Sequence, residues 1–72
     1  MTANCLAQTE ARLTVTDRVW RAEMNRFYGP DGVLHHGFGP TAGGPVGTRL
    51  REAYDARHLA IAAWRQERRP RV

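Results

Sequence analysis

The sequence predicts an all-α protein, an antiparallel helical hairpin whose arms are joined by a long Gly/Pro-rich loop. Three observations predict it. Residues 29–47, GPDGVLHHGFGPTAGGPVG, hold all seven glycines and three of the four prolines. Glycine weakens helix and strand alike through backbone entropy, and proline removes a donor, so this run is expected to form neither. The flanking segments are rich in Ala, Leu, Arg and Glu, and their apolar residues recur at helical spacing. The reading is one domain over residues 1–72, with a helix at about 4–28, a loop at 29–47 and a helix at 48–69.

In the first arm Leu6, Leu13, Trp20 and Phe27 recur every seven residues, with Met24 and Tyr28 beside the last two. That spacing places them on one helical face. Thr14-Val15-Thr16 is the weak point, because three consecutive β-branched residues disfavour helix, and Thr16 or Asp17 can cap a fresh start. The arm is therefore one helix or two pieces broken near 14–16. Gly29 followed by Pro30 marks its end.

Within the loop Pro30-Asp31-Gly32 reads as a tight turn. Val33-Leu34 and Phe38 read as apolar anchors tucked against the helices. A connection of nearly twenty residues is usually functional or disordered, and the anchors favour an ordered one lying across a surface.

The second arm starts with Thr48 as N-cap and runs to about Arg69, where Pro70 stops it. Leu50, Ala53, Tyr54, Ala56, Ala60, Ile61, Ala63 and Trp64 form a wide apolar arc. Leu59 and Ala62 lie outside that arc, so more than half of the circumference is apolar and a second contact surface is expected. Arg57 sits in the middle of the arc. A guanidinium there needs a carboxylate, since its desolvation otherwise costs several kcal/mol. With the arms antiparallel, Asp17 falls within half a turn of it. Arg57 is expected to pair with Asp17 or with an acidic group on a partner.

Seventy-two residues bury only roughly 60% of the surface that the unfolded chain exposes. Chains this small usually add disulfides, a metal or a partner. A single cysteine, Cys5, closes no disulfide within the chain. The hairpin is thus expected to complete its core by oligomerising or by docking on a larger protein. Residues 1–30 do not resemble a signal peptide, since their apolar residues are scattered among Gln, Glu, Arg and Asp. No apolar run approaches the ~20 residues of a membrane span. A cytoplasmic protein without membrane contact is expected.

The chemistry-bearing residues are few. His35, His36, His58 and Cys5 include zinc-binding types, but their spacing fits no paired-ligand pattern, and no metal or cofactor is expected. Gly43 to Thr48 precedes a helix, yet it lacks the GxxxxGK[ST] spacing and the lysine of a phosphate loop. The chain has no serine, and Glu52 and Asp55 fall on the solvent side of the second arm. Independent catalysis is not expected.

The net charge is +4 and comes from eleven arginines with no lysine. Arginine forks suit carboxylates, phosphates and aromatic faces. The expected function is that of a non-catalytic accessory or adaptor subunit. Trp20, Phe27, Tyr54, Leu59 and Trp64 are its expected contact residues, and Arg57 gives polar specificity. One alternative is a small basic nucleic-acid-binding or ribosome-associated protein that uses Arg65, Arg68, Arg69 and Arg71. Another is the small subunit of an enzyme complex, with His35, His36 and Phe38 lining a larger subunit's pocket.

Overall fold

The computed structural model describes residues 5–68, and all of the regular structure in that span is helical. Helix α1 covers Cys5–Tyr28, the short α2 covers Gly32–His36, a 3-10 turn covers Pro40–Gly43, and α3 covers Arg49–Arg68. The ends of the chain, Arg69, Pro70 and Arg71 among them, lie outside the described residues. No helix among those described is long and apolar enough to cross a membrane.

Helix α1 is continuous where the sequence allows a break. The hydroxyls of Thr14 and Thr16 donate to the carbonyls of Glu10 and Arg12, at 3.0 and 2.9 Å. Back-bonding of this kind satisfies the hydroxyls without interrupting the helix. Asp17 is therefore an interior residue rather than a cap. At the C-terminal end Gly29 takes φ 97°, and its N–H donates to the Asn25 carbonyl at 2.9 Å. Thr48 caps α3: its hydroxyl oxygen accepts from the Arg51 N–H at 3.1 Å and donates to the Pro45 carbonyl at 2.8 Å.

Helix α3 returns beside α1. The Trp64 indole donates to a Glu10 carboxylate oxygen at 3.4 Å, and Arg57 Nε donates to Asp17 Oδ1 at 2.9 Å. The paired positions run in opposite directions along the two helices. The chain is elongated, 43 × 23 × 19 Å, with a radius of gyration of 13.8 Å against about 11 Å for a compact domain of this length.

The connection departs from expectation by having structure of its own. Its glycines do not prevent a helical turn at 32–36 or a 3-10 turn at 40–43, because side chains of the long helices hold the connection from outside. Trp20 Nε1 donates to the Ala42 carbonyl at 3.0 Å and the Tyr28 hydroxyl donates to the Thr41 carbonyl at 2.7 Å. Ala42 is pressed into the core formed by Trp20, Met24, Leu50 and Ala53, with Tyr28, Val33 and Tyr54 packed around it. Val33 thus anchors the connection. Leu34 does not, and Phe38, expected to be tucked in, is 92% exposed.

Gly44 is the position where the connection requires glycine. Its φ is 64°, and a Cβ there would lie 2.7 Å from Leu50 Cδ2, inside van der Waals contact. Both the backbone region and the space exclude a side chain. We expect Gly44→Ala to destabilise the fold by about 1–3 kcal/mol, read as a lower denaturation midpoint at fixed protein concentration. Gly39→Ala, with nothing within 4 Å of its added Cβ, should change it by less than about 0.5 kcal/mol.

Candidate functional site

The end of the molecule that carries the connection gathers the best candidate site, and each part of it traces to a local rule. Gly29 ends α1 immediately after Phe27 and Tyr28, leaving those two rings at the rim. They meet edge to face, with centroids 4.8 Å apart and an interplanar angle of 70°. The Tyr28 ring stacks on His36 of α2 at 4.0 Å, and His36 Nδ1 shares a 3.0 Å hydrogen bond with the Thr41 hydroxyl. Tyr28 therefore holds α2 through its ring face and the 3-10 turn through its hydroxyl. The result is a shallow cleft lined by Phe27, Tyr28, Pro40, Thr41, Gly44 and Pro45. A second hollow, which Leu34, Phe38 and Pro30 help to line, opens beside α2.

This end is apolar and outward-facing. Phe27, Leu34, Phe38 and Val46 all expose large apolar surface, and Phe38 stands between Gly37 and Gly39 with no neighbour on either side to cover it. Aromatic and proline surfaces on an ordered scaffold suit the burial of a partner's apolar side chains. Acid–base chemistry has little to work with, because His35 is exposed on α2 and His36 is engaged by Tyr28 and Thr41. Among the described residues no three His, Cys, Asp or Glu side chains come together as a metal site.

The remaining candidate residues are spread over the molecule. Trp20, expected as a contact residue, lies in the core of this chain: it is 4% exposed, its ring is covered by the Arg57 guanidinium at 4.6 Å, and its N–H is already satisfied by Ala42. Arg57 is turned inward by the same contacts. Tyr54 packs on the core, with His58 4.3 Å away and Arg51 5.6 Å from its ring centroid. Trp64 lies at the far end with Arg68 stacked over it at 4.7 Å. Leu59 is 74% exposed, away from the connection. Of the basic group, Arg65 is exposed and Arg68 is occupied by Trp64, while Arg69 and Arg71 fall outside the described residues.

Sequence reasoning missed Leu34 and Val46 as surface residues and Ala42 as a core residue. One signal was available for Ala42: a buried tryptophan needs an acceptor for its N–H, and the apolar face around Trp20 offers none.

Asp17 connects this end to the rest of the molecule. Its two oxygens accept from Arg21 Nε at 2.8 Å and Arg57 Nε at 2.9 Å. Partial burial works against its charge, but the hydrogen bonds and charges of Arg21 and Arg57 outweigh that and hold its pKa below the usual 3.8. A carboxylate with a depressed folded-state pKa adds stability above its unfolded pKa and loses it as the pH falls through the folded value. No family model, curated protein or solved structure matches this chain, so its own geometry carries the functional reading.

Two outcomes are expected. Asp17→Asn should lower stability at pH 7 by about 1–2 kcal/mol, between the values for exposed and buried pairs. The deficit relative to wild type should close as the pH is taken from about 5 to well below 3.8, where the wild-type carboxylate also loses its charge. Urea unfolding across that range checks both.

Proposed function

We propose that this chain is a non-catalytic accessory or adaptor subunit that acts through protein–protein contacts. In this reading α1 and α3 form an antiparallel hairpin whose core is completed from outside the chain, and the connection between them presents the contact site for a larger protein. The observation that supports it most is Phe38, an almost fully exposed aromatic ring on a connection tied down by the hydrogen bonds of Trp20 and Tyr28. A rigid scaffold that exposes an aromatic ring is pre-organised for binding, because little further ordering is needed when a partner arrives. The distribution of large apolar residues supports it too. Among the described residues Trp20, Met24 and Leu50 are the large hydrophobic side chains in the buried core, whereas eight others, from Leu6 to Leu59, are exposed.

The experiment is site-specific photo-crosslinking in the native host. A crosslinking residue at position 38 should give a discrete adduct with a larger protein, and the same residue at the solvent-facing position 55 should not. Absence of adducts from positions 27, 34 and 38 alike would overturn the reading. We further expect Phe38→Ser to leave folding stability within about 0.5 kcal/mol of wild type, as for other exposed positions, while it abolishes the adduct formed from position 34.

A further inference from the structure

The two open sides of the α1–α3 seam differ in charge. One is marked by two grooves. Val19, Glu23, Arg49 and Glu52 help to line the first, and Arg12 and Ala63 the second. Arg26 belongs to this side through its ion pair with Glu23, and Glu67 follows Ala63 by one turn. Arg12, Arg26 and Arg49 are therefore matched by Glu23, Glu52 and Glu67. This side is balanced in charge, and it is also apolar: Val15, Val19 and Leu59 on it are all substantially exposed.

The other side is the one on which Asp17 meets Arg57 and Glu10 meets Trp64. Arg21, bonded to Asp17, and Arg68, stacked over Trp64, belong to it by contact. Arg18 and Arg65 belong to it by period. Arg18 precedes Arg21 by three residues, and Arg65 follows Arg57 and Ile61 at steps of four. These five arginines face two carboxylates, Glu10 and Asp17. At the margin stand Arg51 with Asp55, its partner at 3.6 Å, and Asp31, which shares a hollow with Arg21. Positive charge stays in excess with that margin counted, and the sequence adds Arg69 and Arg71 directly after α3. The excess is also accessible. Among the described residues no carboxylate pairs with Arg18, Arg65 or Arg68, and Asp17, shared by Arg21 and Arg57, compensates the charge of only one of them.

We propose that this basic side binds the phosphodiester backbone of a nucleic acid. Its cations are all guanidiniums, whose planar forks bind phosphate oxygens two at a time. They are strung out rather than clustered. Arg57, Arg65 and Arg68 span about 16 Å of α3, a length that covers several phosphates at the roughly 3.4 Å rise per nucleotide of a duplex strand. The apolar content argues against a bilayer or a protein pocket as the occupant. On this side of the two helices Leu6 is 37% exposed and Ile61 and Trp64 less, against 74% for Leu59 on the other side. Polyanion binding needs charge and little apolar surface, whereas insertion between lipids needs both. Phosphate contacts carry no base information, so the binding is independent of sequence. The inference goes beyond the adaptor reading and uses a part of the molecule away from Phe38.

Fluorescence anisotropy of the full chain with a short labelled duplex DNA and with a labelled single-stranded RNA tests it. A Kd of about 1–100 μM near physiological salt is expected for at least one of them, weakening steeply as salt rises. Preference for one strand type names the source of the phosphates. Arg18→Gln with Arg65→Gln should weaken binding about 10-fold or more at low salt and reduce the salt slope by about 2. Arg12→Gln with Arg49→Gln removes the same charge from the other side and should change affinity by less than about 3-fold. No ion pair ties any of these four arginines to a described residue, so both variants should keep the wild-type denaturation midpoint. No binding to either probe at low salt would overturn the inference. Equal weakening by the two double variants, which marks bare net charge, would overturn it too, as would tighter binding to phosphatidylserine vesicles than to both probes. Phe38→Ser should leave these affinities unchanged, so failure here and failure of the loop-end contact are read separately.

Discussion

The fold depends on one mixed polar–aromatic contact at its waist. Asp17 of α1 holds Arg57 of α3, Arg57 covers the face of Trp20, and Trp20 donates to the Ala42 carbonyl in the connection. Three segments far apart in sequence are thereby fixed by four residues. This contact matters because, among the described residues, the buried core holds only Trp20, Met24 and Leu50 as large side chains, each contributing about 1.5–3 kcal/mol. The guanidinium serves two neighbours at once. Its Nε is hydrogen-bonded to a carboxylate while its plane shields an indole, a combination that the ammonium of a lysine does not reproduce.

The connection illustrates how external contacts override local preference. Its glycines and prolines disfavour regular structure in isolation, and the sequence alone reads as a loop. Yet carbonyls at Thr41 and Ala42 meet donors from Tyr28 and Trp20, and Gly44 lets the chain pass within contact of Leu50. The glycines allow the backbone to come close enough for those donors to reach. The ordering entropy of the segment is then offset by burial of Ala42 and by satisfied polar groups, which is what P-rich and G-rich segments without such anchors lack.

What was legible in the sequence follows from the same division. The two long helices could be read because their signals are local: apolar spacing, the Gly29-Pro30 stop, and Thr48 as a cap. The Arg57–Asp17 pair could be read because a cation in the middle of an apolar arc requires an answer, and the antiparallel register leaves Asp17 to provide it. Phe38 was misplaced, and the role of Trp20 was not legible, for one reason. Hydrophobicity says that a side chain gains by being covered, but it does not say by what, and the covering surface for each is set by non-local contacts. Trp20 found Arg57 and Ala42 within the chain, whereas Phe38 found nothing. Continuity of α1 through Thr14-Val15-Thr16 was undecided for a similar reason, since the intrahelical hydroxyl bonds that accommodate those residues compete closely with a break.

The waist contact also bears on how the two long helices meet. Partly buried ion pairs add modestly to stability, since desolvation offsets much of their attraction. Their stronger effect is on register, because sliding α3 by one turn along α1 would part Arg57 from Asp17 and leave a half-buried guanidinium without its carboxylate. Hydrophobic packing of alanines against valines would tolerate several registers; the Asp17–Arg57 bond admits one. A single half-buried ion pair thus fixes how the two long helices lie against each other, a selection that apolar contacts between small side chains do not make by themselves.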